Sequence, residues 1–244
     1  MNHEMRQKYL LAANDFWPVS ADEDVDETDM CHVFGICGNL QDMKWAREHG
    51  GKWGWMLGYD VALQGHLDCL RYMHEQGYAL ASSTMRGAAV GGHLPILRYL
   101  CDMNCPGHEE ILENAVQHNR RHVIKFVMDN PSIKCNLQQV GWEAASHGHI
   151  DLLEYFKEHL HYVYNESTME GATLGCKLDT MKYLYAQKCP WDKRVVNTAI
   201  AMGHVDCLRF ALQHQCPYDK EEAIKEAKEH EDEACVELML KELL

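Results

Sequence analysis

Apolar residues in this chain recur three and four positions apart within short segments, and the segments themselves recur along the sequence. The strings GHLDCLRYM from Gly65, GGHLPILRYL from Gly91, HGHIDLLEYF from His147, GCKLDTMKYL from Gly175 and MGHVDCLRFA from Met202 are five writings of one pattern. Weaker copies are anchored at Gly38, Asn119 and Glu231. With Gly38, Gly65, Gly92, Asn119, Gly148, Cys176, Gly203 and Glu231 as anchors, successive steps are 27, 27, 27, 29, 28, 27 and 28 residues. A period held that closely marks an array of one supersecondary unit.

The columns of the array predict helix faces. Five residues past the anchor every copy is apolar, from Met43, Leu70 and Leu97 to Leu208 and Val236. Seven past it, seven of the eight copies are aromatic: Trp45, Tyr72, Tyr99, Phe126, Tyr155, Tyr183 and Phe210. Both columns, with the apolar eighth position, face a core at helical spacing. The sixth position (Lys44, Arg71, Arg98, Lys125, Lys182, Arg209) falls on the solvated back. Asp68, Asp179 and Asp206 stand three residues before Arg71, Lys182 and Arg209, so intrahelical ion pairs are expected there.

Each unit also carries an earlier, shorter helix, written RGAAVG at Arg86, WEAASH at Trp142, EGATLG at Glu170 and NTAIAM at Asn197. Its small residues predict close approach between neighbouring units. Gly50, Gly77 and Asn104 share a column at a helix end that requires a left-handed residue. Cys105-Pro106, Cys189-Pro190 and Cys216-Pro217 stop the helix beyond it.

The run from Ser83 to His93 (STMRGAAVGGH) resembles the ankyrin consensus, and the GHxDCLRY strings with CPWD at Cys189 and CPYD at Cys216 are similar to the divergent ankyrin-like repeats of large DNA viruses and some protists. The resemblance covers about Asp29 to the C-terminus. It implies an all-α, ankyrin-like helical solenoid of about eight helix-turn-helix units. The period falls short of the ankyrin value of about 33 residues, so the hairpin fingers are expected to be short or absent. Residues 1–28 are read as an N-terminal helix and acidic connector or cap, 29–220 as the repeats, and 221–244 as a capping repeat.

Composition narrows the function. No apolar run is long enough to span a bilayer, and no signal peptide is legible, so an intracellular, cytoplasmic protein without membrane insertion is expected, in a host cell or virion if the source is viral. Eleven cysteines point to a reducing compartment. The net charge of −14 disfavours nucleic acid. Its acidity belongs to the ends: residues 1–29 and 219–244 each carry −6, and the middle only −2. Cys101, Cys105 and His108 are the best local metal cluster, but Cys105 shares a repeat column with Cys189 and Cys216, as Cys69 does with Cys207 and Cys235, so no metal and no cofactor is expected. His66, His93, His149 and His204 follow the anchor and are expected to satisfy backbone groups at helix ends. No nucleophile elbow, phosphate loop or HExxH motif occurs, and no catalytic residue is assigned.

The expected function is therefore a non-enzymatic protein-interaction module, monomeric unless held in a larger assembly. The candidate contact residues lie on a concave stripe of the first helices, where packing leaves the columns free to vary. Six before the anchor it carries Tyr59, Arg86, Glu113, Trp142, Glu170 and Asn197; two before it, Leu63, Val90, Gln117 and Ser146. Tyr59, Arg86 and Trp142 are the leading anchors, since aromatics and arginine dominate interface energetics. The turn aromatics Trp53, Trp55, Tyr78, Trp191 and Tyr218 extend the candidate surface. Trp191 and Tyr218, sharing a column beside proline, fit a covering role at the core's edge better than a ligand contact, while Trp142 equally fits a spacer packed on the neighbouring loop. The alternatives are a structural subunit of a large assembly of viral kind, or a substrate-recruiting adaptor for ubiquitin ligation, although no F-box is recognisable.

Overall fold

The computed structural model describes residues 30–130, 133, 137–230 and 233–241. The expectations for residues 1–28 lie outside them. All regular structure among the described residues is helical: sixteen α-helices and one short 3-10 turn, with no strand. The chain divides into two compact units, 1–135 and 136–244.

In the first unit the helices are α1 (Met30–Ile36), α2 (Leu40–Glu48), α3 (Leu57–Gln64), α4 (Leu67–Glu75), α5 (Ser82–Gly91), α6 (Leu94–Asp102), α7 (Ile111–Gln117) and α8 (Arg121–Met128). They pair in sequence, α1 with α2 through α7 with α8. The first helix of each pair packs on the first helix of the next, α1 on α3, α3 on α5 and α5 on α7, while α2 meets α4 among the second helices. The second unit repeats the arrangement with α9 (Leu137–His147), α10 (Ile150–His159), α11 (Glu166–Leu174), α12 (Leu178–Ala186), α13 (Lys193–Ala201), α14 (Val205–Gln213), α15 (Lys220–Glu229) and α16 (Glu233–Lys241).

Backbone geometry follows from the anchor residues. Gly38, Gly65, Gly92, Asn119, Gly148, Cys176 and Gly203 all have positive φ, between 52° and 89°, which reverses the chain between the two helices of a pair. Glycine is favoured because a Cβ is strained in that region. The second left-handed column is also present, at Gly50, Gly77 and Asn104.

Close approach of first helices explains their small residues. A Cβ on Gly87 would overlap the Tyr59 carbonyl oxygen, one on Gly91 the Leu63 carbonyl, and one on Gly175 the Ser146 carbonyl. On Gly171 it would stand 2.5 Å from the Trp142 carbonyl. The helices α3 and α5, and likewise α9 and α11, touch backbone to backbone at these points.

The core lies between first and second helices. Met43, Leu70, Leu97 and Ile124 are fully buried in the first unit, as are Leu153, Met181 and Leu208 in the second. The aromatic column differs from the expectation of a core face. Tyr72, Tyr99, Tyr155 and Tyr183 are only half-buried and stand at the core's rim. Three rings of the column take cations from the preceding pair: Lys44 lies 5.3 Å from the Tyr72 centroid, Arg71 5.4 Å from Tyr99, and Arg98 5.1 Å from Phe126. The expected Asp–cation pairs consequently close only in part. Among the described residues Lys182–Asp179 reaches 3.4 Å, whereas Arg71 spends its charge on the Tyr99 ring.

Candidate functional site

The histidines that follow the anchors close the helix ends. The last carbonyls of an α-helix lack intrahelical donors and need another partner. Nε2 of His66 donates to Ile36 O (3.0 Å), that of His93 to Leu63 O (2.9 Å) and that of His204 to Leu174 O (3.1 Å). Each bond joins the start of a second helix to the end of the previous pair's first helix, 30 residues back. A carbonyl only accepts, so Nε2 carries a proton in all three. Arg120 takes the same place where no histidine stands, donating from Nε to Val90 O at 2.7 Å. Leu63 and Val90 of the candidate stripe thus have their backbones occupied by this bracket.

On the first unit the face of α1, α3, α5 and α7 brings two predicted residues together. The Arg86 guanidinium lies over the Tyr59 ring, 5.5 Å from its centroid, with Arg86 exposed and Tyr59 half-buried. Beside them, His32 Nε2 stands 2.9 Å from Asp60 Oδ2, a pair that a column-by-column reading of single positions had no means of joining. Glu113 is exposed, while Leu63, Val90 and Gln117 are half-buried.

Three of the predicted aromatics meet at the turn before α3 in different settings, Trp53 and Trp55 from that turn and Tyr78 from the turn before α5. Trp53 is packed: Arg47 lies 4.7 Å over it, Tyr72 and Tyr78 meet it edge-on, and its indole nitrogen is buried without a hydrogen-bond partner. Tyr78 accepts from Gly58 N–H at 3.0 Å and donates to Trp55 O at 3.3 Å, which pins the turn. Trp55 itself is 86% exposed, with its backbone held and its indole in solvent.

On the second unit Trp142 and Ser146 sit on α9, Glu170 on α11 and Asn197 on α13, all half-buried. Ser146 spends its hydroxyl on the Glu143 carbonyl at 2.9 Å. Glu170 is gathered into an ion cluster by Arg194, whose Nη1 is 2.9 Å from Glu170 Oε2 and whose Nε is 3.0 Å from Asp192 Oδ1. The Arg194 hydrogen bond holds the Asp192 carboxyl below the usual carboxylate range, and Asp192 also caps α13 by accepting from Arg194 N–H. Arg194 was missed by the sequence reading, since it lies outside the two stripe columns. Trp191 packs against Tyr185 (5.2 Å) and Phe210 (6.2 Å), the covering role; Tyr218 is half-buried. Tyr59 and Arg86 belong to one unit and Trp142 to the other.

Candidate chemistry is engaged in structure. The thiols of Cys105, Cys189 and Cys216 donate to the carbonyls of Ala81, Asn165 and Asp192, each 24 residues earlier, and burial pushes their pKa values up to about 11, 12 and 12. Such thiols are inert rather than nucleophilic. Cys101 and His108 line a cavity of about 590 Å3 with Asn104, Glu109 and Phe126. Among the described residues no three His, Cys, Asp or Glu side chains converge as a metal site would require. No described helix is long and apolar enough to cross a membrane.

Compared with known proteins, the chain matches no family model and no curated protein sequence.

Proposed function

We propose that the chain is a non-enzymatic protein-interaction module, an ankyrin-like stack of helix pairs that binds a protein partner on the first-helix face of its first unit. The ankyrin-like reading draws on the 27–29 residue period, the left-handed anchors and the first-on-first packing of helices. The observation that carries the binding role is Trp55. Burying an indole in a partner removes apolar surface from water, and a turn whose backbone is already held spares the backbone part of the ordering entropy. Trp55 is 86% exposed on a turn that Tyr78 pins, four residues before the Tyr59 that Arg86 covers. Tryptophan, tyrosine and arginine together form the usual composition of an interface hot spot.

The test is affinity purification from the native source with the wild-type chain and with a Trp55→Ala/Tyr59→Ala/Arg86→Ala variant, quantified by mass spectrometry. The variant is expected to fold with an unchanged helical circular dichroism spectrum and to lose a specific protein that the wild type retains. Equal recovery of every specific protein by a folded variant would overturn the assignment of this face.

A further inference from the structure

In three copies of the repeat, the turn ahead of a first helix carries an aromatic ring held by the same two neighbours. Arg47 lies 4.7 Å over the Trp53 ring, and Tyr72 meets that ring edge-on at 6.2 Å. Lys157 lies 5.6 Å over Tyr164, which meets Tyr183 at 6.3 Å. Trp191 packs on Tyr185 at 5.2 Å and on Phe210 at 6.2 Å. The turn rings stand twelve residues before an anchor; Arg47, Lys157 and Tyr185 stand nine past the previous anchor, and Tyr72, Tyr183 and Phe210 seven past the next. Where the turn column holds Leu80, the flanking residues close on each other instead, His74 Nδ1 reaching the Tyr99 hydroxyl at 2.7 Å. At Gly107 the same column has no side chain, and none fits: φ is 98°, and a Cβ would stand 2.9 Å from the Ser82 Cβ and 3.1 Å from its Cα. The flanking residues there are Cys101 and Phe126. A thiol is too short to reach across to the ring, and the two line the cavity of about 590 Å3 with Asn104, His108, Glu109 and Asn130.

We propose that this cavity is a binding site for a small planar aromatic molecule of indole size, which takes the place of the missing turn ring between Cys101 and Phe126. Its volume lies in the range of small-molecule sites. Phe126 offers the ring contact that Tyr72, Tyr183 and Phe210 give in the other copies, and aromatic pairs gain beyond the area they bury. The Cys101 sulfur stands where Arg47, Lys157 and Tyr185 cover the turn ring, and a soft, polarizable thiol packs there as a small apolar group. Asn130 donates its amide N–H to the Phe126 carbonyl and keeps its side-chain oxygen as an acceptor for a ring N–H.

The experiment follows fluoroindole by fluorine NMR while the full chain is titrated in. Saturable line broadening with a dissociation constant of about 1 mM or tighter is expected, reversed by unlabelled indole but not by cyclohexanol, whose ring is not planar. Cys101→Tyr brings into the cavity the side chain that its column carries at Tyr185. It should keep the helical circular dichroism spectrum and weaken binding by about tenfold or more. Cys101→Met, the residue of the column at Met128, fills less of the space, and its severalfold loss reads the same point should the tyrosine unfold the chain. Absence of saturation, or equal affinity in a folded Cys101 variant, would overturn the proposal. So would a cavity that takes no free indole and admits only a tryptophan side chain on a partner's peptide.

Discussion

At the residue scale the structure turns reactive side chains into fasteners. His93 donates to a carbonyl that would otherwise end α3 without a partner. An orphaned carbonyl costs about 1–3 kcal/mol. His93→Ala is therefore expected to lower the unfolding free energy by that amount, read from urea denaturation; a loss of only a few tenths would mean that water satisfies Leu63 O. The histidine column was legible as helix-end chemistry, but its acceptor lies 30 residues away and only packing reveals it. The buried thiols make a pH prediction. Burial raises Cys105 to about 11 and Cys189, Cys207 and Cys216 to about 12 from an ordinary 9.0. Above pH 9 the unfolded chain ionises these groups while the native chain keeps them protonated. Stability is thus fully present below pH 9 and is lost as pH rises towards 12, by about 1.4 kcal/mol per pH unit for each thiol. Cys189→Ala should shallow that alkaline slope by one thiol's share in denaturant titrations between pH 9 and 11; an unchanged slope would show that Cys189 ionises alike in both states.

At the scale of elements, helix-to-helix approach is set by glycine rather than by propensity. Alanine is the better helix former by about 1 kcal/mol. Gly87→Ala should nevertheless destabilise the chain by about 1–3 kcal/mol, because its Cβ falls on the Tyr59 carbonyl and α5 must move away from α3. Calorimetry checks this, and a raised melting temperature would contradict it. Gly77 is the contrast: its φ is 85°, and nothing lies within 4 Å of a Cβ built on it. Gly77→Asn should cost little, since Asn104 already adopts the same conformation in the same column. Helices, turns and the small-residue face were all legible from the period. The aromatic rim was not. Alternation identifies a side chain as inward or outward, whereas Tyr72 and Tyr99 are neither, and their rings pair with cations of the preceding helix pair.

At the scale of the whole molecule, the division into two units falls at residues 135 and 136, inside the single 29-residue step of the period. That irregular step was visible in the sequence, but nothing in it marked a division into units. The candidate surface was legible as a variable column, but the column alone ranked Tyr59, Arg86 and Trp142 together. Burial and contact separate them: Arg86 stacks on Tyr59, while Trp142 is half-buried with the Gly171 backbone against its carbonyl. Trp55 was named only as an extension, because nothing in a sequence says which turn residue Tyr78 will fasten and which will be left in water. The most direct test is amide hydrogen exchange of the chain alone and with the partner that wild-type purification recovers. Protection is expected across residues 53–63 and 82–91, the Trp55 turn with α3 and α5. Protection confined to the second helices, residues 67–75 and 94–102, would contradict the account.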